Sequence, residues 1–216
     1  MAFFVTDGWS VAHHHIHEAF IHLGNACRIN LDAMNYYKSI SEDTHPVNFL
    51  SISSELSGAY SIENKECIKA TILFQAGMEA WISWAYTKHQ LNIVKSRYFK
   101  QKWTDAYNHL AITYDFNPYS TFYDNFRNPI VHPSTNGDID QIANIKSEDV
   151  YKGFQAGWDA MAKLSNGLGT PFELNSWDIM CNANGVILPN KISELGNIKG
   201  ISGDLLAKMQ KFYDDK

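Results

Sequence analysis

The sequence predicts an all-α protein, an up-and-down helical bundle, and three observations carry the prediction. Residues 9 to 38 set Ala12, Ile16, Ala19, Phe20, Leu23, Cys27, Leu31 and Met34 at steps of three and four, the stripe of a helix with one buried face. Residues 61 to 89 are apolar on more than one side, with Ile68, Ile72 and Ala76 on one face and Leu73, Ala80 and Trp84 on another, which suits a central helix. Val150, Phe154, Trp158, Met161 and Leu164 repeat the helical step near the other end of the bundle. Among 216 residues, 45% apolar and 13% aromatic content supplies a substantial core for such helices.

Taken in order, the first helix carries HHHIH at 13 to 17. His13 and His17 lie one turn apart, with His14 displaced by about 100°. Two imidazoles at that spacing can share a metal, but no HExxH and no second ligand cluster completes the set, so neither a metal nor a cofactor is expected. Ile16 interrupts the run and the apolar period continues through it, which speaks against an expression tag. Residues 39 to 60, SISEDTHPVNFLSISSELSGAY, are rich in Ser with one Pro and one Gly, and read as a connector holding one short helix around Phe49 to Leu56.

Ser61 is the expected N-cap of the central helix, which runs to about His89. Glu79 is conspicuous within FQAGMEAWISWAY, because a buried carboxylate needs a partner. Arg127 is one candidate; solvent or a loop amide is the other.

A third helix is expected from about Tyr98 to Thr113, burying Phe99, Trp103, Tyr107 and Leu110. Around its start Lys88, Lys95, Arg97, Lys100 and Lys102 occur with His89, and no acidic residue falls between Glu79 and Asp105. Tyr98, Phe99 and Trp103 are interleaved with them. Such a segment can hold a phosphate backbone and stack bases. It can equally be a solvated helix face whose aromatics point into the core.

TYDFNPYS breaks this helix, and Ser120 is a cap for a short helix carrying Phe122 and Phe126. The stretch Arg127-Asn128-Pro129-Ile130-Val131-His132 follows. It sets a permanent cation with a planar fork of donors beside an imidazole that exchanges protons near neutrality, a pairing suited to a phosphodiester. Pro129 is tolerated in a first turn, so a helix starting at Asn128 or Pro129 would put both side chains near its N-terminus, where anions are favoured. The alternative reading of the pair is a salt bridge at a helix start with His132 capping a carbonyl. STNGDIDQIANIK, 134 to 146, reads as a loop. Ser147 then caps a last bundle helix ending near Asn166-Gly167.

At R-N-P-I-V-H the chain resembles the HEPN superfamily, whose mark is an Arg, four to six intervening residues and a His, with a polar residue often directly after the Arg. Phe122 and Phe126 lead into the motif at helical spacing. The resemblance covers roughly residues 8 to 166 and implies an all-α bundle that is commonly a homodimer. Many members are metal-independent ribonucleases in toxin–antitoxin, phage-defence or RNA-processing systems, while others bind nucleotides or have lost activity. It implies RNA or a nucleotide as partner, with an antitoxin-like protein as a further one. It also implies catalytic roles for Arg127 and His132. Asn128 would contact the phosphate or fix His132, Glu79 would orient Arg127, and Lys95, Arg97, Lys100 and Lys102 would line the substrate path. A dimer would bring two motif copies together, one His serving as base and the other as acid.

The remaining features bound this reading. A net charge of −5 argues against a surface coated for non-specific nucleic-acid binding and leaves room for a local basic groove. No apolar run approaches the roughly 20 residues that span a bilayer, and MAFFVTDGWS shows no basic leader before a long apolar region, so a cytoplasmic protein without membrane contact is expected. Cys27, Cys67 and Cys181 are far apart and read as buried thiols, with no CxxC pair. Beyond the bundle, assigned to 1–166, the character changes. GLGTPFELNSWDIMCNANGVILPN suits a hairpin or irregular arm, and SGDLLAKMQKFY a short amphipathic helix. Residues 167–216 are therefore expected to be an appendage on the bundle or in a dimer interface.

Overall fold

The computed structural model describes residues 8–41, 49–91, 98–133 and 136–169. These are helices and their connections, with no strand among them. The order is α1 (Gly8–Ser41), α2 (Phe49–Lys88), α3 (Phe99–His109), α4 (Asn117–Phe122), a π-helical turn (Tyr123–Arg127), α5 (Asn128–Val131), α6 (Asn136–Ala143) and α7 (Ser147–Gly167). Among the described residues no helix is long and apolar enough to cross a membrane. The expected arm and final helix beyond residue 169, together with Lys95, Arg97 and Cys181, lie outside the described residues.

α1 and α2 form an antiparallel pair that is the spine of the bundle. Small residues let them approach: a Cβ at Gly77 would stand 2.5 Å from Ile16 Cγ1, so only glycine fits that crossing. α7 lies across the pair and closes the core. Phe74 stacks on Phe154 with ring centroids 4.0 Å apart, and Phe20 meets Phe154 and Trp158 edge-on at 5.4 and 5.5 Å. Val150, Phe154, Trp158, Met161 and Leu164 are all buried, as the sequence period predicts. A second aromatic layer, Trp81 on Trp103 on Phe116, joins α2 to α3 and to the strap before α4. Two tyrosines hold α3 in place, Tyr86 donating its hydroxyl to the Lys102 carbonyl at 2.7 Å and Tyr107 donating to that of Ala160 at 2.8 Å.

The start of α7 is fixed from across the bundle. Glu63, buried on α2, accepts hydrogen bonds from the Ser147 backbone N–H (2.9 Å) and hydroxyl (2.7 Å) through one oxygen and from the Asn30 amide (3.0 Å) through the other. One carboxylate thus ties together α1, α2 and α7, and its charge faces the N-terminal N–H groups of a helix, where it is favoured.

Several local expectations are corrected. Residues 49 to 60 are not a connector with a short helix; they are the opening turns of α2, and Ser61 is interior to that helix. α3 ends at His109 rather than Thr113, because Ala111 takes a left-handed conformation (φ 53°) and Ile112 N–H returns to the Tyr107 carbonyl at 2.9 Å, a helix-terminating bond. Ser120 lies inside α4, whose start is marked by Pro118 instead. Within the stretch read as a loop, 136 to 143 is helical. Asn64 of α2 donates to the Ile142 carbonyl at 2.7 Å and so satisfies the end of α6.

Candidate functional site

Helical dihedrals run without a break through α4, the π turn and α5, and Pro129 is responsible for the irregularity. A proline inside a helix has no N–H to return and its ring crowds the carbonyl one turn earlier. The chain answers by widening the preceding turn: the Asn128 N–H donates to the Tyr123 carbonyl five residues back. A helical segment does begin at Asn128 with Pro129 in its first turn, as expected, but it continues the preceding run instead of opening a free N-terminus. Asn128 is interior, and His132 is the residue at which helical geometry stops (φ −133°, ψ 64°), its N–H bonded to the Asn128 carbonyl at 2.8 Å. The motif ends a helical run, so it faces helix carbonyls, and the favourable N-terminus for anions is absent here.

Arg127 closes the π turn and leans back toward the preceding residues, as helical side chains do. Its Nη1 donates to the Tyr123 hydroxyl at 3.0 Å, its guanidinium carbon lies 4.9 Å from the Tyr123 ring centroid, and Nη2 stands 3.7 Å from Glu79 Oε1. Of the two readings of Glu79, a partner in Arg127 or exposure to solvent, the structure shows both. Glu79 is 41% exposed and the Arg127 side chain 17%, so the pair aims the guanidinium and adds little to stability, below about 1 kcal/mol.

Behind the carboxylate lies a chain of orienting bonds. The buried Tyr119 hydroxyl donates to Gln75 Oε1 at 2.8 Å, and the Gln75 amide donates to Glu79 Oε1 at 3.0 Å. Burial pushes the Tyr119 hydroxyl well above its ordinary pKa, against the pull of Arg127, so it stays a neutral donor. Tyr123, Gln75 and Tyr119 are residues that sequence reasoning missed. For two of them the signal lies in the spacing: Tyr123 is four residues before Arg127, and Gln75 four before Glu79.

Of the basic residues on the described chain, Lys100 reaches this site. Its ammonium pairs with Asp124 and lies 5.6 Å from the same Tyr123 ring. Two cations thus lie near one aromatic ring, itself stacked on Phe99 at 5.3 Å. Lys102 is partly buried, its carbonyl held by Tyr86. The interleaved aromatics divide between the two readings: Phe99 and Trp103 are core, whereas Tyr98 is 79% exposed.

His132 lies five residues beyond Arg127. Among the described residues no contact joins them, and His132 is exposed roughly 7.5 Å further along the helix axis. Asn128 is exposed too. Thr121, Asn125 and His132 are exposed as well, before the π turn, within it and beyond it.

The rings of His14 and His15 are 5.9 Å apart, and burial together with His14 lowers the pKa of His15. No group of three His, Cys, Asp or Glu residues able to hold a metal ion occurs among the described residues.

No protein-family model, curated protein or solved structure matches the chain.

Proposed function

We propose that the chain is an RNA-cleaving helical bundle of the HEPN type, a metal-independent endoribonuclease acting as a homodimer. The observation that carries the reading is the aimed guanidinium: Arg127 is oriented by Glu79 and Tyr123, keeps N–H donors to spare, and lies near the same Tyr123 ring as Lys100. A phosphodiester placed there would have its non-bridging oxygens on Arg127. The RNA 2′-oxygen then bonds to phosphorus as the 5′-oxygen bond breaks, with one imidazole taking the 2′-hydroxyl proton and a second protonating the leaving oxygen. Because His132 and Arg127 of one chain stand apart, the two motif copies of a dimer supply the complementary groups.

An EDTA-treated nuclease assay tests this. Arg127→Ala and His132→Ala are each expected to fold as the parent does and to cut RNA about 10²–10⁴-fold more slowly. Cleavage at the parental rate by both variants would overturn the proposal. A second reading, a non-catalytic RNA- or nucleotide-binding module, is favoured by the separation of the two side chains, and RNA binding without cleavage by the parent protein would select it.

A further inference from the structure

Two tyrosines stand by the Arg127 guanidinium, and they differ in what their hydroxyl hydrogens do. The buried Tyr119 hydroxyl donates to Gln75 Oε1 at 2.8 Å, so its hydrogen is spent inside the bundle. The Tyr123 hydroxyl instead accepts from Arg127 Nη1 at 3.0 Å, and among the described residues nothing accepts its own hydrogen. Its position is fixed from two sides. The ring stacks on Phe99 with centroids 5.3 Å and planes 10° apart, and the Tyr123 carbonyl holds the Asn128 N–H across the π turn. The neighbouring cations bring little net charge, since Arg127 faces Glu79 at 3.7 Å and Lys100 pairs with Asp124. An anion that settles here is therefore held by directed donors more than by excess charge.

We propose that Tyr123 is a phosphate-binding residue whose hydroxyl donates to a non-bridging oxygen of the phosphodiester that Arg127 contacts, an inference that rests on the RNA reading above. A hydroxyl that accepts from a guanidinium is polarised toward donating, because successive hydrogen bonds strengthen one another. At 3.0 Å from Arg127 Nη1 it reaches the same phosphate group as the guanidinium does. With Nη1 engaged by Tyr123, the Nε and Nη2 hydrogens are left for the anion, since Nη2 stands 3.7 Å from Glu79, beyond hydrogen-bond length. Tyr123 keeps its proton throughout. As the 2′-oxygen bonds to phosphorus, negative charge grows on the non-bridging oxygens and the Tyr123 hydrogen bond tightens, while the proton transfers stay with the imidazoles. A donor that tightens in this way contributes more to turnover than to binding.

Tyr123→Phe tests the proposal on the full chain. The variant keeps the ring on Phe99 and removes a hydroxyl that donates to no described residue, so its thermal midpoint is expected within about 2 °C of the parent. Binding of a non-cleavable 2′-O-methyl RNA hexanucleotide, read by fluorescence anisotropy, is expected to weaken about tenfold. In an Arg127→Ala background the same substitution is expected to weaken binding by about threefold or more. An effect that vanishes in that background would show that Tyr123 only aims the arginine, and would overturn direct donation. Binding by Tyr123→Phe within about twofold of the parent, or no binding by the parent, would overturn it as well. Cleavage of unmodified RNA is scored in parallel, where kcat is expected to fall about 10²-fold, more than KM rises. Weakened binding with no cleavage by the parent removes the ribonuclease reading and leaves Tyr123 as a phosphate donor, while cleavage by Tyr123→Phe at the parental kcat does the reverse.

Discussion

Glu63→Ala is expected to be among the most damaging single substitutions outside the aromatic core, although the residue is polar and contributes no apolar packing there. The carboxylate accepts from the Ser147 N–H at 2.9 Å, the Ser147 hydroxyl at 2.7 Å and the Asn30 amide at 3.0 Å while buried. Hydrogen bonds to a charged group contribute about 1.5–3 kcal/mol each, but three that share one carboxylate do not add independently. Deleting one partner of a buried charged network typically costs about 3–5 kcal/mol, and that is the loss expected. For a chain of this size about 2–4 °C accompanies each kcal/mol, so the thermal midpoint should fall by roughly 6–20 °C. Glu63→Gln should lose about 1 kcal/mol, because the new amide keeps an acceptor for Ser147 and the Asn30 amide can turn to accept from it. Urea unfolding followed by far-UV circular dichroism measures both. A loss below about 1 kcal/mol for Glu63→Ala, with amide exchange at the start of α7 unchanged, would refute the claim that this carboxylate anchors the helix.

Two further expectations concern backbone and pH. A Cβ at Gly58 would have nothing within 4 Å, so Gly58→Ala should stabilise α2 by about 1 kcal/mol, and Ala111→Gly should gain about 0.5–1 kcal/mol by relieving its left-handed φ of 53°; urea midpoints that fall for both would contradict these assignments. Burial pushes the Glu66 carboxyl up, but hydrogen bonds from Lys69 and His22, both at 2.6 Å, more than offset it and hold its pKa below the ordinary value. Its contribution is therefore present above the unfolded-state pKa and lost as pH falls through the folded one, so the stability advantage of the parent over Glu66→Gln should shrink below about pH 4.5. An advantage that grows on acidification would reverse the sign of the argument.

How much of this was legible in the sequence depends on where each residue finds its partner. α1 and α7 were, because their apolar stripes report burial directly, whereas Glu79 meets Arg127 while standing 41% exposed, so the argument from a buried carboxylate did not decide between its two readings. α2 was misread over 49 to 60 because Ser and Gly58 signal a turn locally. Leu56, Ala59 and Glu63 nevertheless continue a stripe against α1 at steps of three and four, and packing overrides propensity. α6 was missed for a similar reason: the amide that completes its last turn belongs to Asn64, 78 residues from Ile142. The end of α3 carried no glycine to mark it, since Ala111 occupies the left-handed position. The Arg127 surroundings were half legible. Tyr123 and Gln75 sit at spacings that announce them, but Lys100 joins the site only through the folding of α3 against the π turn.

The proline accounts for both the misreading and the geometry that replaced it. Read locally, Pro129 starts a helix; in the fold it sits inside one, and the cost is absorbed as a π turn, which holds one residue more than an α turn. An extra residue turns everything after it by about 100° relative to a regular helix. Residues up to Phe122 are thereby free to keep their register on Gly153 and Phe99, while Arg127 is directed at Glu79 and the flank bearing Asn128 and His132 stays in solvent. A regular helix could satisfy the packing of Phe122 or the aim of Arg127 but would carry Asn128 and His132 about 100° away from their present flank. The motif is therefore a distorted helix end, with its arginine held on the bundle and its histidine exposed.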